Sequence, residues 1–327
     1  MQHFKAPWWL PGGHAQTIWP ALFSKPHDGP PLRLERQRWD TPDGDFIDVD
    51  FLDGALTSAT PATAPMLVLF HGLEGSSRSL YAQAFGNWAR RSGWRFAVPH
   101  FRGCSGELNH GPRAYHSGDF EEIGWILQRL RGQSSRPLYA VGISLGGNAL
   151  LRWAQEAGDS AAATAQAVAA VCSPIDLAVG GHAIGRGFNR WVYTPMFLRT
   201  MKPKALAKLA QHPGLFDRQR LMAARDLYEF DNVFTAPLHG FKDTDDYWAR
   251  GSAQPHLHRI RIPALVLNAR NDPFVPGHAL PRAEQVGRHV TLWQPAHGGH
   301  VGFAAGRFPA HVQSLPSEVM GWMSAQA

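Results

Sequence analysis

The sequence predicts an α/β fold: a mostly parallel β-sheet covered by helices on both faces, with a helical cap insertion. Three observations predict it. Short apolar runs recur near residues 65–70, 95–99, 138–143, 167–172, 263–268 and 289–293, as expected of strands buried on both faces. Helical patterns fall between several of these runs, near 79–91, 118–131 and 145–157, as parallel crossovers require. The alternation breaks from about 178 to 255, where helical sequence separates two strands.

In chain order, residues 32–52 hold two alternating stretches around Thr41-Pro42-Asp43-Gly44, the pattern of an antiparallel hairpin at the sheet edge. The run 138–143 leads through a turn into the helix near 145–157, and the Ala-rich stretch 158–166 reads as a plain connection. The interruption contains Lys204-Ala205-Leu206-Ala207-Lys208-Leu209-Ala210 and Arg220-Leu221-Met222-Ala223-Ala224-Arg225-Asp226-Leu227-Tyr228. It falls where substrate loops gather in open α/β sheets, so it reads as a cap over a site. Its aromatic and apolar residues Phe188, Trp191, Tyr193, Met196, Phe197 and Trp248 are candidates to line a pocket, with plain core packing as the alternative for each. Asp245-Asp246 reads as an acidic cluster at a helix N-terminus. A last helical pattern, Pro316 to Met323, should close one face of the sheet. The expected organisation is a core in two parts, 1–177 and 256–327, with 178–255 inserted as the cap.

The run Tyr139-Ala140-Val141-Gly142-Ile143-Ser144-Leu145-Gly146-Gly147-Asn148 is a strand, a Gly-x-Ser-x-Gly turn and the start of a helix. That context gives the motif its meaning: the turn is sharp, the neighbours two residues away must be small, and the serine hydroxyl is left at a helix N-terminus. A serine needs a base to take its proton and a third group to orient that base. In this strand-turn-helix setting the partners follow in the order acid, then histidine. Asp272, in Asn271-Asp272-Pro273, lies just beyond one apolar run, and His300, in His297-Gly298-Gly299-His300-Val301-Gly302-Phe303, follows the next. Asp176 and His297 are the rival acid and base. The two donors of an oxyanion hole would be the backbone N–H groups of Leu145, after the nucleophile, and Leu73, in His71-Gly72-Leu73-Glu74-Gly75-Ser76 after an earlier strand. His71 should brace that loop, and Glu74 should point away or meet a cation such as Arg78.

The chain has 327 residues, 44% hydrophobic and 18% charged, enough for one large α/β domain with an insertion. No apolar run reaches the length of a membrane span, and the first residues lack the apolar core of a signal peptide. Two cysteines are too few for a disulfide framework and suit a reducing cytoplasm; Cys172 reads as packing and Cys104 as a neighbour of the site floor. No Cys/His spacing suggests a metal site and no phosphate-cradling loop is present, so no metal and no cofactor are expected. The formal charge of +6 is spread over small clusters such as Arg129-Leu130-Arg131 and Arg259-Ile260-Arg261, which argues against a nucleic-acid partner and leaves a mild attraction to anionic lipids or substrates.

Several longer runs carry a family likeness. Beyond the elbow they include Pro7-Trp8-Trp9-Leu10-Pro11-Gly12-Gly13-His14-Ala15-Gln16-Thr17, His71-Gly72-Leu73-Glu74-Gly75-Ser76 and His100-Phe101-Arg102-Gly103-Cys104-Ser105-Gly106-Glu107. Tyr115-His116-Ser117-Gly118, Ala236-Pro237-Leu238-His239-Gly240-Phe241, Asp245-Asp246-Tyr247-Trp248, Asp272-Pro273-Phe274 and the His300 loop complete the set. Over nearly its whole length the chain resembles the YheT-like branch of the α/β-hydrolase superfamily. That resemblance implies a serine hydrolase acting on carboxylic esters and implies little about the natural substrate; the expected small-molecule substrate is an ester with a short- to medium-chain acyl group or a monoacylglycerol-like lipid. An acyltransferase using the same three residues, or a lipid or small-molecule binder without catalysis, are the alternatives.

Overall fold

The computed structural model describes residues 4–52, 64–133 and 135–326. Helix α1 (Gly12–Phe23) precedes the hairpin of β1 (Leu34–Asp40) and β2 (Phe46–Leu52). Then come β3 (Met66–Phe70), α2 (Leu80–Arg91), β4 (Arg95–Pro99), α3 (Phe120–Gly132), β5 (Leu138–Ile143), α4 (Leu145–Ala157) and β6 (Ala167–Val171). The insertion consists of α5 (Leu177–Ile184), α6 (Gly187–Gln211), α7 (Arg218–Ala223), α8 (Leu227–Val233), α9 (Thr235–Leu238) and α10 (Thr244–Gly251). The core resumes with β7 (Ala264–Leu267) and β8 (Val290–Trp293) and ends with α11 (Ser314–Ser324).

The strands form one eight-stranded sheet in the order β1-β2-β4-β3-β5-β6-β7-β8. The β1/β2 and β2/β4 pairs are antiparallel and the remaining pairs parallel. Because side chains alternate along a strand, each apolar run serves two cores. Val68, Phe70, Ala140, Val168 and Val266 pack on one face with Ile123 and Leu127 of α3 and Leu150 and Leu151 of α4. Leu67, Leu69, Val141, Ala169 and Leu265 pack on the other with Phe85 of α2 and Val319, Met320 and Met323 of α11. This two-sided burial is the reason the strands read as unbroken apolar runs.

Local sequence sets the helix ends. Asp119 caps α3 by accepting the Glu122 N–H, with Glu121 and Glu122 in the first turn and Arg129 and Arg131 in the last, each matching the helix dipole. Asp243 caps α10, with Asp245 and Asp246 in its first turn as expected. Two local readings change. The connection after α4 winds into a 3₁₀ turn at Gly158–Ala163, and α1 forms where no helix was expected. That helix opens on Gly12 and Gly13 and contains Pro20, so its sequence carries little helical signal.

Candidate active site

Ser144 stands between β5 and α4 with φ 52° and ψ −118°, a conformation costly for any residue with a side chain. The glycines around it are there for space. A side chain on Gly142 would strike the Gly146 carbonyl and the Gly147 Cα, and one on Gly146 would strike the carbonyls of Phe70 and His71. The backbone is over-determined from both sides: the Ser144 N–H donates to Val171 of β6 at 2.8 Å, and its carbonyl accepts the Gly147 and Asn148 N–H groups at 3.0 and 3.2 Å.

His300 Nε2 lies 3.0 Å from Ser144 Oγ, and His300 Nδ1 lies 2.9 Å from Asp272 Oδ2. The other Asp272 oxygen accepts the N–H groups of Phe274 and Val275 at 2.8 and 3.3 Å, which fixes the carboxylate in the turn after β7. The Phe274 ring lies 4.3 Å from the imidazole, centroid to centroid. The two rivals lie elsewhere. His297 is exposed, and Asp176 caps α5 by accepting the Val179 N–H at 3.0 Å.

The loops carrying Asp272 and His300 are tied to α1, a role the sequence reading did not assign. Gln16 Oε1 accepts from Asn271 Nδ2 at 2.8 Å and from the Gly298 N–H at 2.9 Å, so one side chain joins both loops. Thr17 Oγ1 accepts the His300 N–H at 2.8 Å while donating to the Gly13 carbonyl at 2.7 Å. A side chain on Gly13 would strike the Asn271 carbonyl, so the helix must approach backbone to backbone. The signal was present in Gly12-Gly13-His14-Ala15-Gln16-Thr17, where a double glycine precedes two polar residues that prove to be buried.

Behind the site, Cys172 Sγ accepts the Val301 N–H at 3.2 Å and its thiol points at the Gly299 carbonyl at 3.7 Å. Ligand atoms of Cys172, Asp272 and His300 lie within 4.8 Å of one another, the one metal-like grouping among the described residues. Both His300 nitrogens already face partners, and burial pushes the Cys172 thiol well up, away from the thiolate a metal requires. The arrangement fits a packed thiol better than a metal ligand.

Across from Ser144, the loop after β3 is held on several sides. His71 is buried; Nδ1 donates to the Gly72 carbonyl at 2.8 Å and Nε2 accepts the Phe101 N–H at 3.1 Å. Burial pulls its pKa down to about 3, so it stays neutral and serves as a brace. Tyr81 accepts the Gly72 N–H at 3.0 Å. Among the described residues, no protein acceptor meets the Leu73 or Leu145 N–H, and both leucines line the cavity that contains Ser144 and His300.

Glu74 meets a cation, as expected, but a different one. It takes φ 57°, and its carboxylate accepts from Tyr115 at 2.8 Å and from Lys204 of α6 at 2.9 Å, so the cation comes from the insertion and not from Arg78. Cys104 lies beside this pair, 3.5 Å from Lys204 Nζ, with its thiol pushed up to about 11 by burial.

The cavity measures about 150 Å³ and is bounded by core and insertion together, with Phe197, Phe230, Phe234 and Trp248 supplying apolar wall from the latter. Of the six residues expected to line it, Phe197 and Trp248 do. Tyr193 is buried against His14 and Phe274 outside the lining, whereas Phe188, Trp191 and Met196 turn outward to solvent. The reason is helix phase: at 3.6 residues per turn, the side of α6 carrying Phe197, Met201 and Lys204 is opposite the side carrying Phe188 and Trp191. One polar group in the wall is unusual. Asp231 is half-buried, accepts from Thr235 at 2.6 Å and from Trp248 Nε1 at 2.9 Å, and has its pKa pushed up to about 6 by desolvation.

The family described as alpha/beta hydrolase fold matches residues 65–306. The chain is 38% identical to YheT of Escherichia coli (strain K12) over 317 residues, covering 95% of this chain and 90% of that protein. It is 29% identical to the phospholipase ABHD3 of Homo sapiens over 316 residues, covering 92% of this chain and 73% of that protein. Among solved structures, the alpha/beta hydrolase domain-containing protein 10 from mouse superposes with a TM-score of 0.55 at 13% identity, covering 90% of this chain and all (100%) of that one. With its sheet order, its serine turn and a match over most of its length, the chain belongs to the alpha/beta hydrolase fold family.

Proposed function

We propose that the protein is a serine hydrolase that cleaves carboxylic esters through an acyl-enzyme, with Ser144 as nucleophile, His300 as base and Asp272 as its orienting acid. The observation that carries this is the unbroken chain from Ser144 Oγ to His300 to Asp272, at 3.0 and 2.9 Å, opening on an apolar-walled cavity. With Nδ1 donating to the carboxylate, His300 presents a bare Nε2 to the serine hydroxyl. It takes the proton as Ser144 attacks the ester carbonyl, and Asp272 stabilises the imidazolium that forms. The Leu73 and Leu145 N–H groups hold the oxyanion. His300 then hands the proton to the leaving alcohol, and water releases the acid by the same steps in reverse.

The insertion, 178–255, acts as a cap between the core segments 1–177 and 256–327, and its aromatic wall takes the acyl chain. An apolar-walled cavity of about 150 Å³ supports esters of short- to medium-chain acids or monoacylglycerol-like lipids, and a relative named as a phospholipase supports a lipid ester in general. The test is hydrolysis of p-nitrophenyl esters from acetyl to palmitoyl by the protein and by Ser144→Ala, with fluorophosphonate labelling of both. Turnover and labelling confined to the unaltered protein are expected. Equal turnover by Ser144→Ala would remove the serine from the mechanism, and a silent, unlabelled protein would favour a binding role.

A further inference from the structure

Three residues of α6 that were expected inside the cavity, Phe188, Trp191 and Met196, lie outside it and belong to a pattern of their own. With Val192 and Pro195 they follow the spacing i, i+3, i+4, i+7, i+8, a continuous row on one side of a helix, and all five are exposed. The ordinary amphipathic arrangement is not met here: apolar side chains face solvent on one side, and apolar cavity-lining residues lie on the other.

A second exposed group lies nearby. Trp8 is 93% exposed, Phe308 70% and Leu22 67%, with Phe23 beside them. Aromatic contacts join this group: Phe308 packs on Trp9 and Trp19 at 5.4 and 5.3 Å, and Trp19 on Phe23 at 4.5 Å. Helix α1 bridges the two groups, since His14 sits 4.4 Å from the Phe188 ring and bonds the Tyr193 hydroxyl at 3.2 Å. Single exposed apolar side chains are ordinary. Among the described residues, however, every large apolar side chain noted as exposed except Met222 belongs to one of these two adjoining groups. A patch concentrated in this way marks an interaction surface.

Its charge indicates the partner. Exposed cations frame both groups: Arg186, Arg190 and Arg199 on the α6 side, Lys5, Lys25 and Arg307 on the α1 side. No Asp or Glu occurs between Asp176 and Asp217, and Asp28 is the one acid before Leu34. None of the six cations forms an ion pair among the described residues. Tryptophans with a ring of arginine and lysine suit the boundary between acyl chains and anionic headgroups. No described helix is long and apolar enough to cross a membrane, so contact of this kind would be peripheral.

We propose that α6 and the α1 aromatic group form a docking face for an anionic phospholipid surface. Helix α6 lies in the interface with Phe188, Trp191, Val192 and Met196 among the acyl chains and the arginines at headgroup level. The same helix places Phe197, Met201 and Lys204 in the cavity wall, so the surface that meets lipid and the wall that meets substrate are two sides of one element. The docking face does not depend on the chemistry proposed for Ser144, and its test is read without turnover.

The test is co-sedimentation of the full chain with vesicles of phosphatidylcholine alone and of an equimolar mixture with phosphatidylglycerol, at low and high salt. The protein is expected to sediment with the anionic vesicles, less with the neutral ones, and to be released by salt. Phe188→Ser/Trp191→Ser should lower the bound fraction about tenfold or more through lost apolar contact, whereas Met222→Ser, an exposed residue on α7, should not. Circular dichroism and thermal melting of each variant separate loss of binding from loss of fold. No sedimentation with either vesicle, or equal binding by the double variant, would overturn the proposal. So would a dimer that the double variant converts to monomer without any vesicle binding, which would assign the face to a second copy of the chain. Ester hydrolysis measured in parallel distinguishes failure of the docking face from failure of the catalytic reading.

Discussion

Thr17 uses one hydroxyl for two tasks, donating to its own helix and accepting from the His300 backbone. Valine has the same shape without the oxygen, so Thr17→Val would leave the His300 N–H unsatisfied beside the imidazole it steadies. An orphaned donor in such a place costs about 1–3 kcal/mol. On the proposed mechanism the loss falls on the geometry of the base and not on the acyl pocket. Thr17→Val is therefore expected to lower kcat about tenfold for a soluble p-nitrophenyl ester with KM little changed, and Thr17→Ser to restore most of it. An unchanged kcat in Thr17→Val would show that the histidine loop holds itself. At this scale sequence served unevenly. Ser144, Asp272 and His300 were legible because each follows a strand pattern and the serine needs glycines around it. Gln16 and Thr17 were not, because their partners lie more than 250 residues away and no local pattern reports such a contact.

At the scale of elements, the insertion carries a desolvated acid whose cost depends on pH. Asp231 has an ordinary value of 3.8, and burial raises it to about 6 in the folded protein. Between these values the folded state holds a proton that the unfolded state has released. Stability contributed by this group is complete below the lower value, falls as pH rises toward the upper one, and is absent above it. Asp231→Asn keeps the shape and an acceptor for Trp248 Nε1 while removing the charge. The variant should melt higher than the parent at pH 7.5, by about 1–3 kcal/mol in stability, and nearly with it at pH 4. A lower melting temperature at pH 7.5 would mean that the carboxylate's two hydrogen bonds outweigh its burial. This group was not legible beforehand, because an aspartate in a helical stretch looks solvated until the fold closes around it. The same limit explains the α6 residues: the sequence shows aromatic density, but only helix phase decides which side meets the cavity.

For the whole molecule, the sheet was legible because each central strand is buried on both faces and therefore reads as a single apolar run. The edge hairpin was legible through its Thr41-Pro42-Asp43-Gly44 turn. What escaped was how distant segments meet: Lys204 closing on Glu74 from the insertion, and α1 joining the loops that carry Asp272 and His300. Neither has a signature within one stretch of chain. The α1 arrangement also has a practical side. The family match begins at residue 65, and α1 lies wholly before it, held to the Asp272 and His300 loops by a few side chains. A chain beginning after Pro31 should keep its sheet yet lose turnover, and a synthetic peptide of residues 4–26 supplied in trans should restore turnover in a saturable way. Failure of rescue at any peptide concentration would mean that the helix must be joined to the chain to seat. Rescue would turn the molecule into a two-piece reporter, in which a short helical tag on one partner and the remaining chain on another give colour only when the two are brought together.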